Sequence, residues 1–239
     1  MIGLAEGINR ILMVYFVITL FGLLFGSFLN VCIVRLPHKE SILLPRSHCP
    51  SCKHTIRWFD NIPLLSYLLL RGRCRDCHVR ISPQYPIVEA LTAVLLVATF
   101  RRFGLSPEFV KYSVFIMMLI VLIFTDLRDR LIPHAVTVFG ICLGLVLSLF
   151  IEVDSRPVGW LAERMGLLLP ETVLSVLGAL MGALLGGGLF YAVGKAFYIL
   201  GGRKKDYLGF GDVMLMLMVV VFLGAPLTLL TILLGSLAG

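Results

Sequence analysis

Long apolar runs separated by short polar or basic stretches dominate the pattern of the chain. Five runs approach or exceed the roughly 20 residues that an α-helix needs to cross a bilayer. They cover residues 11–34, 112–125, 136–151, 172–200 and 213–237. The runs are continuous rather than alternating every second residue, so helices are predicted rather than strands. The pattern predicts an all-α polytopic membrane protein with about six to eight transmembrane helices.

A polar segment interrupts this pattern after the first apolar run. It is rich in proline and lacks a long helical period. This composition predicts a small loop-rich domain that needs a cross-link, such as a disulfide or a metal ion, to be stable. The chain therefore divides into an N-terminal transmembrane anchor (1–34), an inserted domain (35–84) and an apolar transmembrane bundle (85–239). The first run is long and lacks a cleavage pattern, so we expect it to be retained. Residues 85–100 are short for a span and predict a tilted crossing or a re-entrant hairpin.

Composition and charge support a membrane protein and orient it. Apolar residues make up 59% of the 239 residues and charged residues only 15%, which is more apolar surface than one soluble core uses. Nine Lys and Arg residues lie between residues 35 and 80 against three acids, so the positive-inside bias places the inserted domain in the cytoplasm. Alternating the spans places 127–131 and 203–205 on that side and 152–171 outside. Because topology explains the charge, lipids rather than a nucleic acid are the expected partner.

Four cysteines form a metal-binding pattern within the inserted domain. Cys49 and Cys52 are followed by Cys74 and Cys77, so a Cys-x2-Cys pair occurs twice. Two such turns can direct four sulfurs at one ion, which predicts a closed, structural zinc site. Two disulfides are the alternative, and a reducing cytoplasmic location favours zinc. The nearby histidines are not needed to complete a four-sulfur site.

Two aspartates, Asp126 and Asp212, lie where apolar runs meet basic loops. An ionisable group at the edge of hydrocarbon is costly unless it has a partner or a function. Aspartic chemistry requires two carboxyl groups that share one proton, one acting as base toward water while the neutral one polarises a carbonyl. Gly209 and Gly211 precede Asp212 and would allow an extended substrate backbone to approach, because neither has a Cβ atom.

A purely structural interpretation of the two aspartates is equally open at this point. Asp212 would be the N-cap of a helix that starts at Val213. Asp126 would be a solvated charge at the end of its span, paired with Arg128 or Arg130. Asp129 is the nearest other carboxylate, and its arginine neighbours predict an exposed ion pair.

A larger set of motifs recurs in order along the chain. They are Gly26-Ser27-Phe28-Leu29-Asn30-Val31, Arg35-Leu36-Pro37, Cys49-Pro50-x-Cys52, Asn61-Ile62-Pro63, Ser66-Tyr67, Arg71-Gly72-Arg73-Cys74-Arg75-x-Cys77, Ile81-Ser82, Tyr85-Pro86, Glu89, Asp126, Ile132-Pro133 and Gly209-x-Gly211-Asp212. Together they resemble the type IV prepilin peptidases, and they span nearly the whole chain.

The resemblance implies a multi-pass aspartic endopeptidase of the Gly-x-Gly-Asp class in the bacterial inner membrane. Such enzymes remove the short basic leader of prepilins and type II secretion pseudopilins after a glycine, on the cytoplasmic side. Many also N-methylate the new amino terminus with S-adenosylmethionine. The resemblance makes Asp126 and Asp212 the catalytic pair and the four cysteines the zinc ligands of a cytoplasmic domain. Asn30 and Glu89 are candidates for binding the methyl donor; Glu89 is otherwise an interfacial charge paired with an arginine.

The chain departs from the family's pattern at two positions. Met214 stands where a lysine is common after Gly-x-Gly-Asp, and His134 follows Ile132-Pro133 where an acidic or amide residue is frequent. The stop at Gly239 predicts a short last span. Two other functions are possible: a non-catalytic assembly factor of a pilus or type II secretion system, in which both aspartates are dispensable, and a transporter, which requires ionisable groups nearer the bilayer centre.

Overall fold

The computed structural model describes residues 2–151, 156–167, 170, 173–178, 180–182, 184, 188, 195 and 210–238. The run 172–200 is thus described only in part, and residues 203–205 lie outside these ranges. Among the described residues, the main helices are α1 (Ile2–Arg35), α2 (Leu65–Leu69), α3 (Gln84–Phe103), α4 (Pro107–Asp129), α5 (His134–Leu147), α6 (Arg156–Arg164) and α7 (Phe210–Ala238), with a 3-10 helix at Trp58–Asn61. Because the described residues contain helices and no β-strand, the all-α prediction is confirmed.

Two of these helices are long and apolar enough to cross a membrane. One covers Asn9–Arg35 within α1, and the other is α4, Pro107–Asp129. The chain separates into two compact units, Met1–Arg130 and Leu131–Gly239.

Helices α1 and α3 of the first unit pack along their length in opposite directions. Four contacts join them at helical spacing: Asn30 with Tyr85, Gly26 with Glu89, Gly22 with Ala93, and Tyr15 with Phe100. Each step back along α1 is matched by an equal step forward along α3, which is an antiparallel register. Small residues four apart let helix backbones approach closely, a device common between membrane helices. Helix α3 therefore lies beside the apolar part of α1.

A tight turn then reverses the chain from α3 into α4. Gly104 (φ 65°) donates its N–H to the carbonyl of Phe100 and ends α3. The Ser106 hydroxyl accepts from the N–H of Phe109, and Pro107 occupies the first turn of α4, both of which favour a helix start. Such a short connection makes α4 antiparallel to α3. The C-terminal end of α4, which carries Asp126, therefore returns to the end of the unit that holds the inserted domain.

In the second unit α5 packs against α7. A Cβ atom at Gly144 would lie 2.7 Å from Val221 and 2.9 Å from Phe222, so this glycine is required by the close approach of the two helices. Helix α7 is kinked within the last apolar run, because Gly224 adopts φ 77° and ψ 167°, two residues before Pro226.

Candidate metal centre and candidate active site

The two Cys-x2-Cys segments fold into equivalent turns. In the first, Cys49 N–H donates to His54 O, and Lys53 N–H donates back to Cys49 O, both at 3.0 Å. In the second, the same bonds join Cys74 with Val79 and His78 with Cys74. An isolated antiparallel bridge closes each turn, His48 with Thr55 and Arg73 with Arg80. Lys53 and His78, at matching positions, both adopt positive φ near 58° and 57°.

These turns bring the four predicted ligand sulfurs together. All four Sγ atoms lie within 4.8 Å of one another, and Cys49 Sγ lies 3.7 Å from Cys77 Sγ. A tetrahedral site with Zn–S bonds of about 2.3 Å separates its sulfurs by about 3.8 Å. None of the four is in a disulfide. The described residues therefore form a cluster compatible with a zinc ion, and the histidines remain outside it.

Backbone hydrogen bonds favour a thiolate at one of these positions. Burial raises the pKa of the Cys49 thiol, but the N–H groups of Cys52 and Ser51 together with neighbouring thiols outweigh burial and lower that pKa to about 6. A thiolate is the form that binds a metal ion.

A bidentate ion pair joins the second cysteine turn to the 3-10 helix. The Arg75 guanidinium donates from Nε to Asp60 Oδ2 at 2.9 Å and from Nη2 to Asp60 Oδ1 at 2.6 Å. It also lies over the ring of Phe59, 5.7 Å from its centroid. Sequence spacing could not indicate this pair, because only the folded turn brings together two charges that are 15 residues apart.

We expect Asp60→Asn to destabilise the inserted domain by about 1 kcal/mol, the upper range for a partly exposed ion pair. Hydrogen bonds from Arg75 hold the pKa of Asp60 below its usual range. A lowered carboxyl pKa adds stability that is complete above the ordinary value near 3.9 and is lost only as pH falls through the lower folded value. The deficit of the variant should therefore be constant from about pH 6 to pH 8. Thermal unfolding of the purified protein at several pH values measures it.

Asp76→Asn is the matched control for this prediction. Asp76 is exposed in the same domain, where its carboxylate lies 3.9 Å from His54. An equal loss of stability in both variants would show that the bidentate ion pair between Asp60 and Arg75 adds no stability of its own.

Arg35, at the end of α1, organises the start of the inserted domain. Its side chain is buried and donates to Ser41 O at 2.8 Å and Pro45 O at 2.7 Å. The motif Arg35-Leu36-Pro37 contributed to the resemblance, but nothing in the sequence indicated that this arginine satisfies loop carbonyls.

Asn30 and Glu89, the candidates for methyl-donor binding, both lie buried between α1 and α3. The Glu89 carboxylate accepts from Leu64 N–H at 2.8 Å and makes no ion pair with an arginine among the described residues, contrary to the expectation of an arginine partner. Asn30 Nδ2 donates to Tyr85 O at 2.9 Å, while its Oδ1 is buried without a partner. The structure thus brings these residues into one interface, where they join α1, α3 and the inserted domain.

Asp126 lies in the last turns of α4 and is exposed. Among the residues that the structure describes, its carboxylate has no ion-pair partner, so neither Arg128 nor Arg130 pairs with it. Arg128 is instead 3.8 Å from Asp129, the ion pair expected for that neighbour.

Asp212 lies in the first turn of α7, which includes Phe210 and Gly211. The residue is therefore inside the helix, and its alternative as the N-cap of a helix starting at Val213 is wrong. A Cβ atom at Gly211 would lie 3.1 Å from Ile132 Cβ, and the Phe210 ring lies 5.6 Å from the His134 ring. Phe210 and Gly211 thus pack against His134 and Ile132 within the second unit. Gly209 lies outside the described residues.

The described residues form a helical protein in which two helices are long and apolar enough to cross a membrane. It has a cluster of four cysteines and aspartates near the ends of two apolar helices. This combination fits a membrane-bound peptidase of the class that the motifs resemble. Asp126 and Asp212 belong to different compact units.

Comparison with known proteins gives the same class. The model of the bacterial Peptidase A24 N-terminal domain matches residues 20–103, and that of the type IV leader peptidase family matches residues 113–239. The chain belongs to the type IV leader peptidase family, which confirms the resemblance and the peptidase class expected from the motifs. No solved structure matches the chain.

Three curated relatives illustrate the similarity. A prepilin leader peptidase/N-methyltransferase of Myxococcus xanthus is 46% identical over 151 residues, covering 60% of this chain and 45% of the relative. One of the same name from Bacillus subtilis is 37% identical over 181 residues, covering 74% and 71%. A type 4 prepilin-like proteins leader peptide-processing enzyme of Escherichia coli is 34% identical over 215 residues, covering 82% and 72%. The chain thus spans less than half of the Myxococcus relative and about seven tenths of the other two.

Proposed function

We propose that the protein is a prepilin leader peptidase that uses Asp126 and Asp212 as its catalytic pair. The family match across both parts of the chain carries this proposal. The exposed, unpaired carboxylate of Asp126 and the position of Asp212 in the first turn of α7 support it. The substrate would be a prepilin or pseudopilin whose basic leader is cut after a glycine.

The chemistry assigned to the pair follows from two carboxyl groups that share one proton. The ionised carboxylate takes a proton from water as the water oxygen bonds to the scissile carbonyl carbon. The neutral carboxyl donates a hydrogen bond to the carbonyl oxygen, where negative charge develops. A proton then passes to the amide nitrogen, the carbon–nitrogen bond breaks, and a carboxylic acid and a free amine leave. Because the two titrations are coupled, their apparent pKa values would belong to the pair.

The proposed setting is the bacterial inner membrane, crossed several times, with the inserted domain and both aspartates on the cytoplasmic side. The basic composition of residues 35–80 supports this orientation. The antiparallel order of α1, α3 and α4 supports it too, since that order returns Asp126 to the end with the inserted domain. A substrate with a cytoplasmic leader and an apolar helix in the bilayer would present its scissile bond there.

Direct cleavage tests this proposal. The purified protein in detergent is incubated with a prepilin, and product masses are read for loss of the leader and for an added methyl group. Cleavage after a glycine is the expected result. A preparation with intact helices that leaves the prepilin uncut would contradict the peptidase and favour the assembly-factor alternative.

We further propose that Cys49, Cys52, Cys74 and Cys77 hold one structural zinc ion. Four cysteine ligands would fill its tetrahedral coordination, so the ion would cross-link the two turns and leave no position for water. The cluster geometry supports this assignment.

Cys74→Ser is expected to lose nearly all bound zinc and to unfold the inserted domain, while the apolar helices persist. The reason is that a structural zinc site contributes its binding energy to folding. Metal analysis of the purified protein and the reactivity of the remaining thiols measure the effect. Cys142→Ser removes an exposed cysteine outside the cluster and should retain zinc. Zinc retained by Cys74→Ser would refute the four-sulfur site.

N-methylation with S-adenosylmethionine as methyl donor is the second activity proposed, on the names of the relatives. Glu89 Oε2 and Asn30 Nδ2 are hydrogen-bonded within the protein, and of these two side chains Asn30 Oδ1 is the buried acceptor that has no partner among the described residues. One acceptor is too few to hold an amino acid, a ribose and an adenine. These residues therefore do not fit as the main methyl-donor site, and no methyl-transfer step is assigned to them.

A further inference from the structure

The short helix α2 of the inserted domain presents a leucine face to its surroundings. Leu65, Leu68 and Leu69 are 50%, 70% and 74% exposed. Their spacing of three and four residues places them on one side of the helical turn. Apolar residues clustered on one exposed face mark an interaction site more often than scattered ones do.

The other side of α2 is fixed to the domain. Ser66 is buried, donates its hydroxyl to Phe59 O at 2.9 Å and accepts from Ile62 N–H at 3.0 Å. These bonds hold α2 on the 3-10 helix, where Trp58 is 82% exposed. The leucines therefore cannot turn inward without breaking buried hydrogen bonds.

The start of α2 lies beside the long helices rather than beyond their ends. Leu64 N–H donates to Glu89 Oε2 at 2.8 Å, and Glu89 is five residues past the first residue of α3, which is about 8 Å along its axis. Glu89 in turn packs on Gly26, within the apolar span of α1. In the membrane setting proposed above, the leucine face therefore begins at a depth where lipid would flank the long helices.

Basic side chains follow the leucine face directly. Arg71, Arg73 and Arg80 line a cleft of about 600 Å³ together with Tyr67. Leucine and tryptophan beside clustered arginines are the composition of elements that lie in the membrane interface and attract anionic lipids.

We propose that α2 is an interfacial anchor: its face of Leu65, Leu68 and Leu69 enters the lipid bilayer at the boundary of headgroups and acyl chains, and Arg71, Arg73 and Arg80 contact anionic lipid phosphates. The anchor seats the four-cysteine domain on the membrane surface. This inference depends on the membrane setting proposed above and not on the peptidase assignment.

A tryptophan reporter tests the anchor. The chain has two tryptophans, so Trp58→Phe with Trp160→Phe gives a tryptophan-free background to which Leu68→Trp is added. The whole protein is reconstituted in vesicles of phosphatidylcholine and phosphatidylglycerol, with or without bromine on the acyl chains. Brominated lipid should quench the reporter about twofold and iodide should quench it weakly, since interfacial helices bury their apolar face about 5–10 Å. Removing phosphatidylglycerol should weaken the bromine effect.

Thr55→Trp in the same background is the control, because Thr55 is exposed in the first cysteine turn. It should respond to iodide and not to bromine. Leu69→Trp repeats the test on the same face in case Leu68→Trp does not fold. The anchor is overturned if both leucine-face reporters are open to iodide, or if Thr55→Trp is quenched by bromine equally.

Two further outcomes would also count against the proposal. Protection from iodide that depends on protein concentration in detergent, without bromine quenching, would assign the face to a second copy of this chain. Equal quenching with and without phosphatidylglycerol would overturn the role of the arginines. Prepilin cleavage, measured on the same preparations, separates failure of the anchor from failure of the peptidase.

Discussion

Asp126→Asn and Asp212→Asn should each lower the rate of prepilin cleavage by about 10²–10⁴-fold or more, the range that positioned acid–base groups contribute. Asparagine has the size of aspartate but can neither take the proton from water nor donate an acidic proton to the carbonyl oxygen. Both variants should keep wild-type zinc content and helicity, because both aspartates lie in long helices outside the inserted domain and asparagine keeps the size of the side chain. The initial rate of leader removal, read by product mass, measures the effect.

Asp129→Asn is the matched control for the Asp126 variant. Asp129 lies one turn further along α4 and contacts Arg128 at 3.8 Å, so its replacement should leave cleavage within about twofold of wild type. Cleavage retained by Asp126→Asn and lost by Asp129→Asn would transfer the catalytic role to Asp129. Full activity of both Asp126→Asn and Asp212→Asn would remove the aspartic mechanism.

The metal cluster could be predicted from sequence because its geometry is local. A Cys-x2-Cys turn fixes two sulfurs within four residues, so only the meeting of two turns depends on the fold. The bridges that close the turns, His48 with Thr55 and Arg73 with Arg80, are equally local. Apart from the cysteines, no residue in these turns indicates their shape, because the positive φ at Lys53 and His78 is unusual for lysine and histidine.

The apolar pattern predicted the helices better than their ends. Residues 85–100 were expected to form a short or re-entrant segment, yet α3 continues to Phe103 with Arg101 and Arg102 in its last turn. Gly104, whose positive φ of 65° takes the chain out of the helix, sets the end rather than the charge of the arginines. Hydropathy indicates where a helix is apolar, whereas caps decide where it stops.

Long-range contacts were outside the reach of sequence reasoning. Glu89 bonds to Leu64, 25 residues away, through a backbone N–H that any residue type except proline would offer. No side-chain pattern can therefore indicate this partner. Likewise, Gly22 and Gly26 are small residues four apart, but that spacing does not tell which helix they face.

Gly26→Ala should destabilise the protein by about 1–3 kcal/mol, the usual cost of overpacking, whereas Gly7→Ala in the same helix should not. A Cβ atom at Gly26 would lie 2.6 Å from Glu89 Cα and 3.2 Å from two backbone carbonyl oxygens of α3, so α1 and α3 would have to separate. At Gly7 a Cβ atom meets nothing within 4 Å, and alanine there gains up to about 1 kcal/mol of helix propensity. The same substitution is therefore expected to lower the stability of the protein at Gly26 and to raise it slightly at Gly7. The temperature at which half of the helical circular dichroism is lost in detergent measures both, and equal shifts would refute the close antiparallel contact of α1 with α3.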